Sequence, residues 1–258
     1  MAAFSSPSGR LVSPGRASAR LRLSWRPVAA LLPTVFPLLL AAISLELWMG
    51  LGLTSAVSSA ERLSTWLLIT ATLALWLLAV SILAAVGAYR AAPIAIPLGV
   101  PVFAAIGLLL LSRLPHIPQL LAVMPLSWLI GLMVVRIAGG AFLVGVAKGE
   151  VAKPWFAAWA GGLDVFVGVT ALPLAWWVSS GSAVALAAAI AWNVIGLVDF
   201  AVGIAISRIV PGSGPAYLVL LDTPVMGALW PAIYGIVTWG VPVAIIVQIL
   251  SIWQLLAI

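Results

Sequence analysis

The chain contains no cysteine and a single histidine, His116. These two shortages remove disulfides, thiolate chemistry and the usual zinc, copper and heme ligand sets, so no metal and no cofactor is expected. Charge is scarce as well. Only 7% of the 258 residues are charged, against about a quarter in an ordinary soluble domain. No span contains a lysine, which excludes a retinal Schiff base. Phosphate-loop, nucleophile-elbow and zincin patterns are all missing. Short segments of alternating polarity, the mark of a membrane barrel, are missing too.

What the chain does have is apolar sequence: 64% of it is hydrophobic. Such a surface cannot stay in water, so the lipid bilayer is its expected partner. Continuous apolar runs in lipid mean helices, because only helices satisfy their backbone within the segment. The fold class is therefore all-α, a polytopic membrane helix bundle. The net charge of +6 lies in a basic tail and in loop ends. That pattern orients membrane proteins, and no nucleic-acid partner is expected.

Residues 1–27 carry Arg10, Arg16, Arg20, Arg22 and Arg26 with no acid. They read as a disordered basic tail preceding a transmembrane domain over 28–258. The apolar run that follows is longer than a signal-peptide core, so the first helix is read as retained. Seven runs have membrane length: 28–49, 64–88, 94–112, 123–147, 155–178, 183–207 and 226–252. The positive-inside rule puts the N-terminus in the cytoplasm. Arg90, Lys148, Lys153 and Arg208 then lie on the tail's side, and only Arg62 and Arg113 lie outside. An odd number of spans sends the C-terminus outside. The connection 208–225 is the longest, and its Tyr217–Leu221 stretch is too short to span. Most tryptophans fall near span ends, while Trp76, Trp159, Trp192 and Trp239 lie deeper and could form a ligand cage.

Two stretches, Gly161–Gly168 and Gly196–Gly203, each read G-x-x-D-x-x-x-G. They place Asp164 and Asp199, two of only six acidic residues, inside spans five and six. Span four carries Arg136. Counting along helices puts Arg136 about 16 Å, Asp164 about 13 Å and Asp199 about 12 Å from the inner ends of their spans. Three ionisable groups at similar depth predict one buried cluster, since such groups face the bundle interior and find partners. Positions i, i+3 and i+7 share a helix face. Gly161, Asp164 and Gly168 thus form one stripe; Gly196, Asp199 and Gly203 form another, extended by Asn193. Small residues on such stripes allow close helix approach.

Three functional readings are open. An Arg136–Asp164–Asp199 site with Asn193 could bind a proton or ion in a carrier of small solutes. It could fix helix packing in a non-catalytic membrane subunit or scaffold. It could serve an intramembrane enzyme acting on lipid, although no catalytic motif supports that. Glu46 reads as interfacial, and Glu61, Arg62, Lys148, Glu150 and Lys153 as loop charges. Nothing in the sequence indicates an oligomeric state.

Arg136-Ile-Ala-Gly-Gly-Ala-Phe-Leu143, Gly149-Glu150, Pro154-Trp-Phe-Ala157, Ala160-Gly-Gly-Leu-Asp164 with Gly168, and Trp192-Asn-Val-Ile-Gly-Leu-Val-Asp199 together resemble a family. Its members are small multi-pass bacterial membrane proteins without a characterised function. The resemblance runs from Leu126 onward. It implies a membrane bundle and a bacterial origin, and brings no substrate with it; the expected location is a bacterial inner (cytoplasmic) membrane.

Overall fold

A computed structural model describes residues 25–55, 57–91, 95–148, 154–209 and 234–257. Among them every regular element is helical. Most of the basic tail, all but two residues of the 208–225 connection and the beginning of the seventh predicted span lie outside the described residues.

Helix α1 (Trp25–Leu53) carries Pro33 and Pro37 and ends where the Thr54 hydroxyl donates to Leu51 O, 2.7 Å. Helix α2 (Ser59–Ala85) starts with a capping box. Ser58 Oγ accepts from Glu61 N–H at 3.3 Å, and the Glu61 carboxylate accepts from Ser58 N–H at 3.0 Å. Glu61 and Arg62 are therefore helix residues rather than loop charges. Arg62 donates to Trp48 O at 2.9 Å and stands 4.0 Å over the Trp48 ring. Lower down, Trp66 Nε1 donates to Ser44 O at 3.0 Å. These contacts join α1 to α2.

After a short turn, α3 (Ala88–Ala91), helix α4 (Ala95–Arg113) and helix α5 (Ile117–Val123) are bent by 91° to one another. The bend follows from Pro115, which disfavours helical geometry at Leu114, and from Pro118 in the first turn of α5. The spans expected at 94–112 and 123–147 leave an outer connection between them, and helix α5 stands in that stretch. Six described helices are long and apolar enough to cross a membrane, or seven if α4 and α5 together form one broken span.

The fourth span is composite. Helix α6 (Leu126–Leu132) passes into a 3₁₀ segment (Met133–Gly139) and then into α7 (Gly140–Lys148). Helices α8 (Pro154–Val178) and α9 (Ala183–Ile209) form a hairpin. Gly181, at φ +66°, makes its turn, and the Ser182 hydroxyl accepts from Ala185 N–H at 3.3 Å. The last described span is Ile236–Ala257, running past the expected end at 252, while the expected start at 226 lies outside the described residues. It opens as a π segment (Ile236–Gly240) and continues as α10 (Val241–Ala257). Pro242 lacks the N–H that would serve Thr238 O, which favours a wider turn there.

The core joins α1, α5, α6, α8, α9 and α10, with Leu51, Ile130, Met133, Val167, Ala189 and Trp239 almost fully buried. Trp176, Leu38 and Leu75 are strongly exposed and have the apolar character of a lipid-facing surface. The four deeper tryptophans do not form one cage. Trp76 and Trp239 pack edge-to-face at 6.4 Å, Trp192 Nε1 donates to Thr170 Oγ1 at 2.8 Å, and Trp159 is exposed.

Candidate functional site: a buried arginine between two aspartates

The 3₁₀ winding places Arg136. With three residues per turn, positions i and i+3 eclipse. Met133, Arg136 and Gly139 therefore line up, and all three are buried. In an α-helix the same three residues would drift around the axis. This line faces α8, and the approach there is backbone to backbone. A Cβ added at Gly139 would collide with the Asp164 side chain. One at Gly168 would stand 2.5 Å from Ile137 N, and one at Gly161 would stand 2.9 Å from Gly139 O. Any larger residue at these positions would push the helices apart.

The guanidinium bridges both carboxylates. Nε donates to Asp164 Oδ1 at 2.7 Å and Nη2 to Asp199 Oδ2 at 2.6 Å. Nη1 donates to Gly196 O at 3.2 Å. The Phe200 ring covers one face, 4.0 Å from Cζ. Arg136 and Asp199 are each 4% exposed and Asp164 is 9% exposed, so these are desolvated, charge-assisted bonds. Three helical elements meet through one side chain. With both aspartates ionised, the cluster carries one negative charge in excess. Asp199 Oδ1 is buried without a hydrogen-bond partner among the described residues.

A cavity of about 30 Å³ adjoins the cluster, lined by Phe36, Arg136, Gly139, Asp164, Phe200 and Ala244 among others. It has room for about one or two waters.

The remaining residues singled out from sequence behave differently from one another. Asn193 is fully buried one helix turn from Gly196 and donates to Ala189 O at 2.9 Å and Ser251 Oγ at 3.1 Å. It does not bond to Arg136 or to either aspartate. Gly196 lies against two side chains: a Cβ there would overlap the Gln248 amide and stand 2.7 Å from Arg136 Nη1. A Cβ added at Gly203 meets nothing within 4 Å among the described residues. Glu46 is half-buried on α1. His116 Nε2 lies 3.9 Å from Glu61 Oε1, at the junction of α5 with the start of α2.

Gln248 went unnoticed in the sequence. It sits in a long apolar run and matches no motif. The spacing of Gln248, Ser251 and Gln254, at i, i+3 and i+6, was the available signal, because it is a polar stripe on one helix face.

No curated protein and no solved structure matches this chain. A family does, the one described as Domain of unknown function (DUF8737), over residues 91–256. That region begins before α4 and takes in the whole cluster, leaving α1 and α2 outside it. The chain, with its bridged arginine on a 3₁₀ turn of an apolar bundle, belongs to that family.

Proposed function

We propose that this membrane protein binds a proton or small cation at the Arg136–Asp164–Asp199 cluster, and that the site serves an ion- or proton-coupled carrier of a small solute. One observation carries this reading: two buried carboxylates share one guanidinium, and Asp199 Oδ1 has no hydrogen-bond partner among the described residues. The excess charge in a low-dielectric interior is relieved when a proton or cation binds. In this reading the N-terminus is cytoplasmic and the protein sits in a bacterial inner membrane. The N-terminal arginines and the resemblance support that placement.

The test uses the whole chain in sealed vesicles, with a pH-sensitive dye and a panel of small solutes. Solute-dependent proton or cation movement is expected in the parent. It should be lost in Asp199→Asn, with the variant still folded. A parent without flux, or a folded Asp199→Asn with unchanged flux, counts against the carrier.

A second reading has its own observation. Both carboxylates already bond to Arg136, and glycines let the helices touch at that level. Such a cluster locks helix register in a non-catalytic membrane subunit or scaffold. Loss of folding in both aspartate variants, with no flux in the parent, favours it.

A further inference from the structure

A second set of buried polar groups lies along α10, meeting α9 at Asn193 and α5 at Gln254. Asn193, Gln248 and Ser251 are fully buried, and Gln254 is 7% exposed. On α10, Gln248, Ser251 and Gln254 follow one face over about 9 Å. Ala244, one turn before Gln248 on the same helix, lines the cavity beside Arg136. The stripe thus runs from near the Ala257 end of α10 to the charged cluster.

This stripe is not self-satisfied. Asn193 Oδ1, both polar atoms of the Gln248 amide, Gln254 Oε1 and Asp199 Oδ1 are buried without hydrogen-bond partners among the described residues. The Gln254 amide nitrogen does donate, to Leu121 O at 2.8 Å and also to Met124 O, which ties α10 to α5. Gln248 Nε2 and Arg136 Nη1, both donor atoms, crowd the same point beside Gly196. A water oxygen between them could accept from both. Each unsatisfied polar group in an apolar interior costs about 1–3 kcal/mol. Several of them along one line are the signature of a hydrated seam, because buried water collects where polar groups lack protein partners.

We propose that the α9–α10 seam binds a short file of waters. The file connects the membrane face at which α10 ends to Arg136 and Asp199. Its ligands are the Gln254 and Asn193 carbonyl oxygens, the Gln248 amide and the free Asp199 oxygen. On the opposite side Gly139, Gly161 and Gly168 bring the 3₁₀ segment and α8 backbone to backbone. The proposal deepens the proton-site reading by giving that site a one-sided connection, and it rests on that reading for its purpose though not for its geometry.

The chain suits a direct test, since it has one asparagine and three glutamines. Whole protein in lipid nanodiscs, with labelled Asn, Gln and Arg, is examined by NMR for magnetisation transfer from water to side-chain N–H groups. The exposed Gln119 serves as the wet control. Transfer is expected to the Gln254, Asn193 and Gln248 amides and to the Arg136 guanidinium. In Gln248→Leu, Arg136 should lose its transfer while Gln254 keeps it. Dry Asn193 and Gln248 amides in the parent overturn the proposal, whether or not the variant folds. An unchanged Arg136 signal in a folded Gln248→Leu overturns the route. A wet seam in a protein without flux sinks the carrier and leaves the seam standing. Flux through a protein with a dry seam does the reverse.

Discussion

Arg136 is bonded to α8 and to α9, and its surroundings towards α8 and towards α10 are built on opposite plans. Towards α8 the contact is charged and closed: a direct ion pair, with glycine on both sides letting the backbones touch. Towards α10 the contact is neutral and open in its bonding: amides are buried and several of their atoms are unpaired. The difference teaches where each kind of polar group is tolerable in an apolar bundle. A full charge needs a direct, desolvated partner, because a lone charge there is very costly. A neutral amide can be served by water at far lower cost.

The sharpest way to break the comparison is to remove the charge. Arg136→Met strands two buried carboxylates and should destabilise the protein by about 3–5 kcal/mol, read by denaturant or thermal unfolding in detergent. Adding Asp164→Asn and Asp199→Asn should restore most of that loss. A single variant as stable as the parent would show that the ion pairs hold nothing.

Next in size is the glycine contact. Gly168→Ala puts a methyl group against the Ile137 backbone and should cost about 1–3 kcal/mol. Gly203→Ala meets open space among the described residues and should be neutral or slightly stabilising. Equal losses at the two positions would mean that the repeat itself, rather than the α8 crossing, sets the packing.

On the open side the expected loss is smaller. Gln248→Met should cost about 1 kcal/mol, because it removes water-served hydrogen bonds and no charge. A loss as large as that of Arg136→Met would erase the distinction between the two sides. An effect of the same size lies outside the family region. Trp66→Phe removes the bond to Ser44 and should cost about 0.5–1.5 kcal/mol. It should add to Arg136→Met without coupling, since the two sites share no partner.

The parts of this architecture that show in the sequence are those set by composition and counting. Long apolar runs mark helices, and depth along consecutive spans brings Arg136 near Asp164 and Asp199. What does not show depends on local winding and on neighbours. No residue type announces the 3₁₀ turn at Met133–Gly139, which comes from how the span meets α8. Pro115 and Pro118 were visible, yet a proline pair does not say whether a loop or a bent helix follows. Gly203 shares its spacing with Gly196, but a periodic pattern cannot reveal that nothing described packs on it. Gln248 was passed over because a lone amide carries no motif, and its place beside Gly196 exists only once α9 and α10 are packed.

The 3₁₀ turn also changes the dimensions of the fourth span. A 3₁₀ residue rises about 2.0 Å where an α residue rises about 1.5 Å, so seven of them make the span about 3.5 Å longer than its residue count suggests. They also wind through about 140° more than an α-helix would. Were this stretch to relax to α geometry, α7 would turn by that angle and draw in by that length relative to α6. The salt bridges to Asp164 and Asp199 act as the pawl on this screw, holding one side of the membrane in fixed angular phase with the other.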